Sequence, residues 1–432
     1  MPAPRALTQG SHVRSATSPA QTSALYAGGM VDAMELRKRF PALERMVGDH
    51  RALYLDGPAG TQVPQSVIDA VANAMVESVS NVGGGFDASR DSDRVVADAR
   101  EAGADFFDAQ PDEIVFGANM TTITFAFSRA VSATWKKGDA IVVSGLDHDA
   151  NVTPWVRAAQ ERDVEVRFVE IHEDATLDHS SLEGVLDESV RLVAVTGCSN
   201  TFGTMVDVPA VVAAAHADGA RVYVDAVHRA PHVRPVATSL GADAIISSAY
   251  KFHGPHLGVM RGNPEWLEEI EAVKVRPAPT EVPGRFETGS LPFPLLAGFS
   301  ASIDHLASLG DPDGTRRERL TTGYDWIRDR EDMLGQLFLD TLPDNVAIIG
   351  PPTMDGRVST FAVSVQDVAP DVVARMLADV GIFVWAGHNY AVEPIRRLGY
   401  LDTGGLVRIG ITHLNTEDEI TRLNTVLERI KP

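Results

Sequence analysis

The stretch RLVAVTGCSNTFGTMVDVPAVVAAAHADGARVYVDA, residues 191–226, decides the fold. It opens on the apolar run RLVAVTG, passes through VPAVVAAAHADG and closes on a second apolar run, RVYVDA. Both outer runs are short, β-branched and apolar on both faces, the pattern of strands covered by helices on each side of a parallel sheet. The middle segment reads as the crossover helix, with Asp207 at its N-cap and Gly219 as its C-terminal stop. The same alternation extends from Asp112 to Gly262, adding EIVFGA, AIVVSG, VEVRFVEI, DAIISSA and LGVMRG as strands. A mostly parallel sheet results, and in such sheets the chemistry gathers at the carboxyl ends of the strands.

After the last of these runs a Pro- and Gly-rich passage, VRPAPTEVPGRFETGSLPFP, breaks the pattern. A long amphipathic helical region follows, then NVAIIG, STFAVSVQDV, GIFVWAG and LVRIGIT interleaved with helices, which reads as a smaller α/β domain. We divide the chain into residues 1–34, a tail or an early start with Met30 and Met34 as alternative starts, a large domain over 35–300 that includes an N-terminal arm, and a small C-terminal domain over 301–432. The first segment lacks the apolar core of a secretory signal.

Composition excludes several classes of function. With 38 basic against 59 acidic side chains the formal net charge is -21, which repels a polyanion such as nucleic acid. No apolar run reaches the roughly 18 residues of a membrane span. A single cysteine, Cys198, leaves no disulfide framework within the chain and fits a reducing cytoplasm.

Several strand ends carry polar groups that folding alone does not require. AIISSAYKFHGPHLGV places Lys251 after an apolar strand, flanked by Ser247, Ser248, Tyr250, His253 and Gly254. RVYVDAVHRAPH ends in Asp225 with His228 three residues on, SGLDHDANVTPW holds His148 and Asn151, and CSNTFGT holds Asn200. Singly, each has an ordinary explanation: a solvated strand end, a helix cap, a satisfied polar group. Together they meet the needs of pyridoxal phosphate. That cofactor requires a lysine amine for a Schiff base and a carboxylate to keep its pyridine nitrogen protonated. It also wants a flat side chain over the ring, and hydroxyls or backbone amides for its phosphate. Lys251, Asp225, His148 and the group Thr121, Ser248 and Tyr250 fill these roles in turn.

The order and spacing of DHDAN, SNTFGT, VYVDAVH and SSAYKFHGP resemble the class V aminotransferase family of fold-type I pyridoxal-phosphate enzymes, most closely its cysteine-desulfurase-like branch. The resemblance runs from LYLDGPAGTQVP near Tyr54 to VRIGITHLNTEDEI near the C-terminus. It implies that Lys251 forms the internal aldimine and moves the Cα proton, that Asp225 partners the pyridine nitrogen, and that His148 stacks on the ring. It places Asn200 on the substrate side of the cofactor and His228 near its phenolic oxygen, with Thr121, Ser248 and Tyr250 around the phosphate. RFETGS resembles a segment that reaches across a homodimer interface, which would bring Ser290 to the phosphate of the other subunit. Arg408, in GLVRIGI, matches the arginine that pairs with the substrate carboxylate, a task for a planar bidentate donor.

Two departures from the branch stand out. In desulfurases a mobile loop carries the cysteine that takes sulfur as a persulfide; its counterpart here, VWAGHNYAVEP, has Tyr390 at that place. A phenol cannot accept sulfur as a thiolate does. Trp385 stands where relatives usually have arginine, so the substrate is expected to meet Trp385, His388 and Tyr390 in a more aromatic pocket. Cys198 lies at a strand end off the loop and reads as a small hydrophobe.

The expected activity is lyase-type Cα/Cβ chemistry on a small α-amino acid, without a protein persulfide. Transamination, epimerisation and decarboxylative carbon-carbon bond formation are open on the same cofactor, and a non-catalytic pyridoxal-phosphate-binding protein is the alternative of another class. The retained base and Arg408 argue against the last. NVGGGFDAS contains a dinucleotide-type glycine pattern but follows a helical stretch, so it reads instead as a glycine-rich wall of the active site. No histidine group, HGPH included, has convincing metal-ligand spacing.

Overall fold

The computed structural model describes residues 26, 27 and 30–431, so most of the expected tail lies outside the described residues. The apolar runs become β1 (Ile114–Gly117), β2 (Ala140–Ser144), β3 (Glu165–Val169), β4 (Val190–Thr196), β5 (Arg221–Asp225), β6 (Ala244–Ser248) and β7 (Gly258–Gly262). They form one sheet in the order β1-β7-β6-β5-β4-β2-β3. Strand β7 is antiparallel to both its neighbours and the other contacts are parallel. Strands β2 and β6 are buried along their whole length, and β4 and β5 at all but one position each, as runs apolar on both faces require.

Helices α1 (Gln65–Glu77), α2 (Asp87–Phe107), α3 (Met120–Val131), α4 (Val208–Ala217), α5 (Phe293–Ala307) and α6 (Arg316–Asp340) cover this sheet and lead out of it. Crossover helix α4 begins where the sequence indicates: the Asp207 carboxylate accepts from the Ala210 N–H at 3.1 Å. It ends just before Gly219, whose φ of +80° suits only a residue without a Cβ. Helix α5 packs on α1 and α2 and runs unbroken through residues 300 and 301, where the sequence reading divides the domains. Helix α6 starts on a capping box between Thr315 and Glu318. Its Leu320, Tyr324 and Ile327 lie in the core of the large lobe, while Leu334 and Phe338 lie in the core of the small one.

The small lobe is built on β8 (Val346–Ile349), β9 (Thr360–Val365), β10 (Trp385–Gly387) and β11 (Leu406–Gly410), antiparallel in the order β8-β9-β11-β10. The segment Leu53–Tyr54 pairs with Ile382–Phe383, and Asp56 bridges Gly410. An N-terminal segment thereby crosses from the small lobe to the carboxyl ends of the large sheet. Among the described residues no helix is long and apolar enough to cross a membrane.

Candidate active site

The strand ends meet in a cavity of about 790 Å³ lined by both lobes. Of the residues singled out from sequence, Thr121, His148, Asn200, Asp225, His228, Ser248, Tyr250, Lys251, Trp385, His388, Tyr390 and Arg408 line it. Ser290 does not; it is exposed and lines a separate hollow of about 400 Å³.

Lys251 follows β6 on a single 3₁₀ turn, and its Nζ donates to the Pro58 carbonyl, with the Tyr250 ring centroid 4.9 Å away. Burial, with Arg408 adding repulsion, pushes the amine down to about 7 against the pull of Asp225 and Asp56. A large fraction is therefore the neutral nucleophile near neutral pH. Asp225, the last residue of β5, accepts from the Val227 N–H at 2.8 Å; burial raises it to about 6, while Lys251 draws it down.

His148 accepts from the Ala150 N–H through Nδ1 at 3.1 Å, which assigns the ring proton to Nε2. Burial and the Lys251 and Arg408 charges hold it down at about 3, so the ring is neutral. Beneath it lies a residue that sequence reasoning missed. Buried Asp147 accepts from Ser144 Oγ, from Asn151 Nδ2 at 2.7 Å and from the Thr196 N–H at 3.0 Å, tying the ends of β2 and β4 together. Burial raises its carboxyl to about 8 against those hydrogen bonds. Asn151 also accepts from Trp155 Nε1 at 3.2 Å, so its role is to hold this corner of the fold.

At the first turn of α3 lie Thr121 and Thr122, capped by Asn119, whose Oδ1 accepts from the Thr122 N–H at 2.9 Å. Ser248 Oγ accepts from the Met120 N–H at 2.9 Å, joining this turn to β6. A Cβ on Gly258 would sit 2.5 Å from the Asn119 backbone, so glycine lets the helix start approach β7. The positive end of α3, with Thr121, Ser248 and Tyr250 around it, makes an anion cradle. The HGPH histidines are not a metal pair. His256 stacks on Tyr250 with centroids 4.4 Å apart, and His253 is buried with Nδ1 on the Gln62 carbonyl. Among the described residues no cluster of three or more metal-ligating side chains occurs.

From the small lobe, Arg408 on β11 is buried and held down at about 10 by burial, with Asp56 opposing. Its Nη1 donates to the Asn200 carbonyl at 3.0 Å, while Arg408 Nε and Asn200 Oδ1 are buried without partners. A site made to receive a polar ligand leaves such groups open. Trp385 pairs with Arg408 in the strand register and is 53% exposed. The loop after it is fastened to the large lobe. The Asp149 N–H donates to the Tyr390 carbonyl and Asn200 Nδ2 to the Asn389 carbonyl, both at 2.8 Å. The Tyr390 ring lies 5.4 Å from the His148 ring and within 13° of parallel to it.

Cys198 is fully buried, 3.4 Å from the Gly203 carbonyl, and burial pushes its thiol up to about 12. It offers no thiolate near neutral pH. One expectation fails within this chain: Gly83–Gly85 do not line the cavity, and Gly84 instead packs on Ser89 at the start of α2. Glycine spacing signals a close backbone approach without saying to what.

A seven-stranded, mostly parallel sheet with a half-buried lysine and a buried carboxylate at neighbouring strand ends, an anion cradle beside them and an arginine opposite defines a pyridoxal-phosphate enzyme of fold type I. The chain belongs to the class-V aminotransferase family, whose model, Aminotransferase class-V, matches residues 53–423. It is 34% identical over 380 residues to an uncharacterized protein of Mycobacterium tuberculosis, covering 86% of this chain and 93% of that one. It is 31% identical to a cysteine desulfurase of Pectobacterium atrosepticum, covering 91% of this chain and 97% of the relative. Among solved structures it is similar to a cysteine desulfurase of Thermococcus onnurineus, with a TM-score of 0.83, 25% identity and coverage of 93% and 98% of the two chains. The chain is thus a pyridoxal-phosphate-dependent enzyme, cysteine-desulfurase-like in sequence and fold.

Proposed function

We propose that the enzyme carries out lyase-type chemistry on a small α-amino acid and releases its product directly, with no sulfur held on the protein. The observation behind this reading is the loop at 387–390, where Tyr390 stands in place of a thiol and two backbone carbonyls are bonded to the large lobe. The one cysteine, Cys198, is off this loop: it lies just past β4 in the cavity wall, as a buried thiol.

Pyridoxal phosphate, when bound, supplies an electron sink for the carbanion formed at the amino-acid Cα. The chain's own residues do the rest. Lys251 would hold the cofactor at its aldehyde carbon through the amine, and the same amine would take and return the Cα proton. Asp225 holds a proton on the pyridine nitrogen. His148, locked as a neutral ring, would cover the cofactor face, and His228 and Asn200 would line its phenolic and substrate sides. Thr121, Ser248 and Tyr250 hold the phosphate. Ser290, exposed in its own chain, is suited to reach the second subunit of a homodimer. Arg408 orients the substrate carboxylate, and Trp385, His388 and Tyr390 close the side-chain end of the pocket, where an acidic side chain finds no arginine. A cytoplasmic location completes this reading.

The test is the product profile of the purified enzyme with L-cysteine, measuring alanine, sulfide and pyruvate, with Cys198→Ala run alongside. No alanine from either protein is the expected result. Alanine from the parent enzyme that disappears in Cys198→Ala would make the buried thiol a sulfur carrier and overturn the reading. Arg408→Lys keeps the charge but loses the planar fork. It should weaken L-alanine binding, read from the cofactor's visible band, by roughly 10- to 100-fold while cofactor loading is unchanged.

A further inference from the structure

Behind the cavity wall a buried carboxylate is surrounded by imidazoles that the chemistry above does not use. Glu331, on α6, is 3% exposed. Its Oε2 lies 2.6 Å from His232 Nδ1 and accepts from Ser359 Oγ at 3.3 Å. Its Oε1 accepts from the His413 N–H at 3.0 Å, with His413 Nδ1 at 3.4 Å. Burial alone would raise this carboxyl, but His232 and His413 outweigh it and hold the group down at about 2. An ionised carboxylate without water is costly unless every acceptor site is met by donors, and here three elements supply them. They are the segment after β5 (His232), the approach to β9 (Ser359) and the segment after β11 (His413).

The geometry continues toward the cofactor. The His232 ring stands edge-on to the His228 ring, with centroids 5.1 Å apart and planes at 70°. His228 lines the cavity, and its Nε2 pairs with Thr360 Oγ1 at 3.1 Å, on the first residue of β9. A path of three side chains therefore joins the cavity to α6, a helix that sits in the cores of both lobes. A buried charge acts strongly over such distances because little water screens it. His228 is neutral in this setting, lowered by burial first and then by His232, Arg408 and Lys251. Its electrostatic influence on a ligand depends on how it is held and on the charge behind it.

We propose that Glu331 is a positioning residue for the cofactor site, acting through His232 on the ring of His228. This rests on the reading that His228 faces the phenolic oxygen of bound pyridoxal phosphate. The role differs from a plain lobe clamp because it predicts a change in the cofactor's own spectrum. In Glu331→Gln the pH midpoint of the cofactor's visible absorption band should move by half a pH unit or more relative to the parent enzyme. His413→Gln keeps the backbone donor to Glu331 and has no contact with His228, so its midpoint should match the parent.

The experiment loads parent, Glu331→Gln, His413→Gln and His232→Gln proteins with pyridoxal phosphate and titrates the band across pH. A shift in Glu331→Gln and His232→Gln but not in His413→Gln is the expected outcome. An unmoved midpoint in Glu331→Gln, or equal shifts in all three variants, would reduce the network to a structural clamp and overturn the proposal. If Glu331→Gln does not fold, His232→Gln decides alone: it keeps the carboxylate but removes both its nearest charged partner and the ring that reaches His228, and an unmoved midpoint there overturns the proposal. A parent band that is unmoved by His228→Gln contradicts the His228 reading itself, which separates that failure from the failure of this proposal.

Discussion

Lys251→Ala is expected to load pyridoxal phosphate without its covalent absorption band and to lose turnover by roughly 10²–10⁴-fold, the range attached to a positioned general base, while keeping the fold. The lysine sits at the end of β6, held by the Pro58 carbonyl, and among the described residues no other amine lines the cavity. An unchanged band in the variant would end the assignment. A second readout follows from the buried amine. In the cofactor-free protein Lys251 titrates near 7, against an ordinary value of 10.5. Between those values the unfolded chain binds the proton that the folded chain refuses, so stability rises with pH across that window. Urea midpoints of cofactor-free parent and Lys251→Ala at pH 7 and pH 9.5 should therefore differ in their trend. The parent gains up to about 3 kcal/mol relative to the variant as pH rises. Equal trends would mean that the amine is not desolvated as the structure has it.

Much of this was legible before any coordinates. Residues 191–226 announce a strand, crossover helix and strand because burial on both faces leaves few polar positions, and Asp207 and Gly219 mark the helix ends. The site residues were legible where each lies within a few positions of a strand end, since a parallel sheet brings those ends together whatever their separation in sequence. Contributions that depend on long-range packing were not. Pro58 and Asp56 reach Lys251 and Arg408 only because Leu53–Tyr54 pairs with Ile382–Phe383 and Asp56 bridges Gly410. Glu331 sits in an amphipathic helix, where a glutamate ordinarily means a solvated face; its burial arises from two histidines distant in sequence. Asp147 could have been suspected from its place beside His148. The glycines at 83–85 misled because flexibility marks a close approach but names no partner.

The second large effect is at Asp225. Asp225→Asn leaves shape nearly unchanged but removes the charge that keeps a proton on the pyridine nitrogen, so the electron sink is weakened and kcat should fall by about 10²–10³-fold, as when a preorganised electrostatic partner is lost. Stability should move the other way. Burial raises this carboxyl to about 6 from 3.8 in the cofactor-free chain. From pH 3.8 to 6 the unfolded chain releases a proton that the folded chain keeps, so stability is lost as pH rises and the penalty stands in full above 6. Cofactor-free Asp225→Asn should then unfold at a higher urea midpoint than the parent at pH 7, with the gap closing toward pH 4. Greater stability with lower activity is the mark of a group kept for its chemistry at a cost to the fold. A variant that is less stable at pH 7 and turns over normally would make Asp225 a structural strand end. The pairing of the two readouts matters because Lys251 and Asp225 carry opposite charges in one cavity, and each lowers the penalty of the other. The double variant should therefore show more than the sum of the two single stability gains, because each single variant also forfeits the attraction between the pair, a coupling that independent sites would not show.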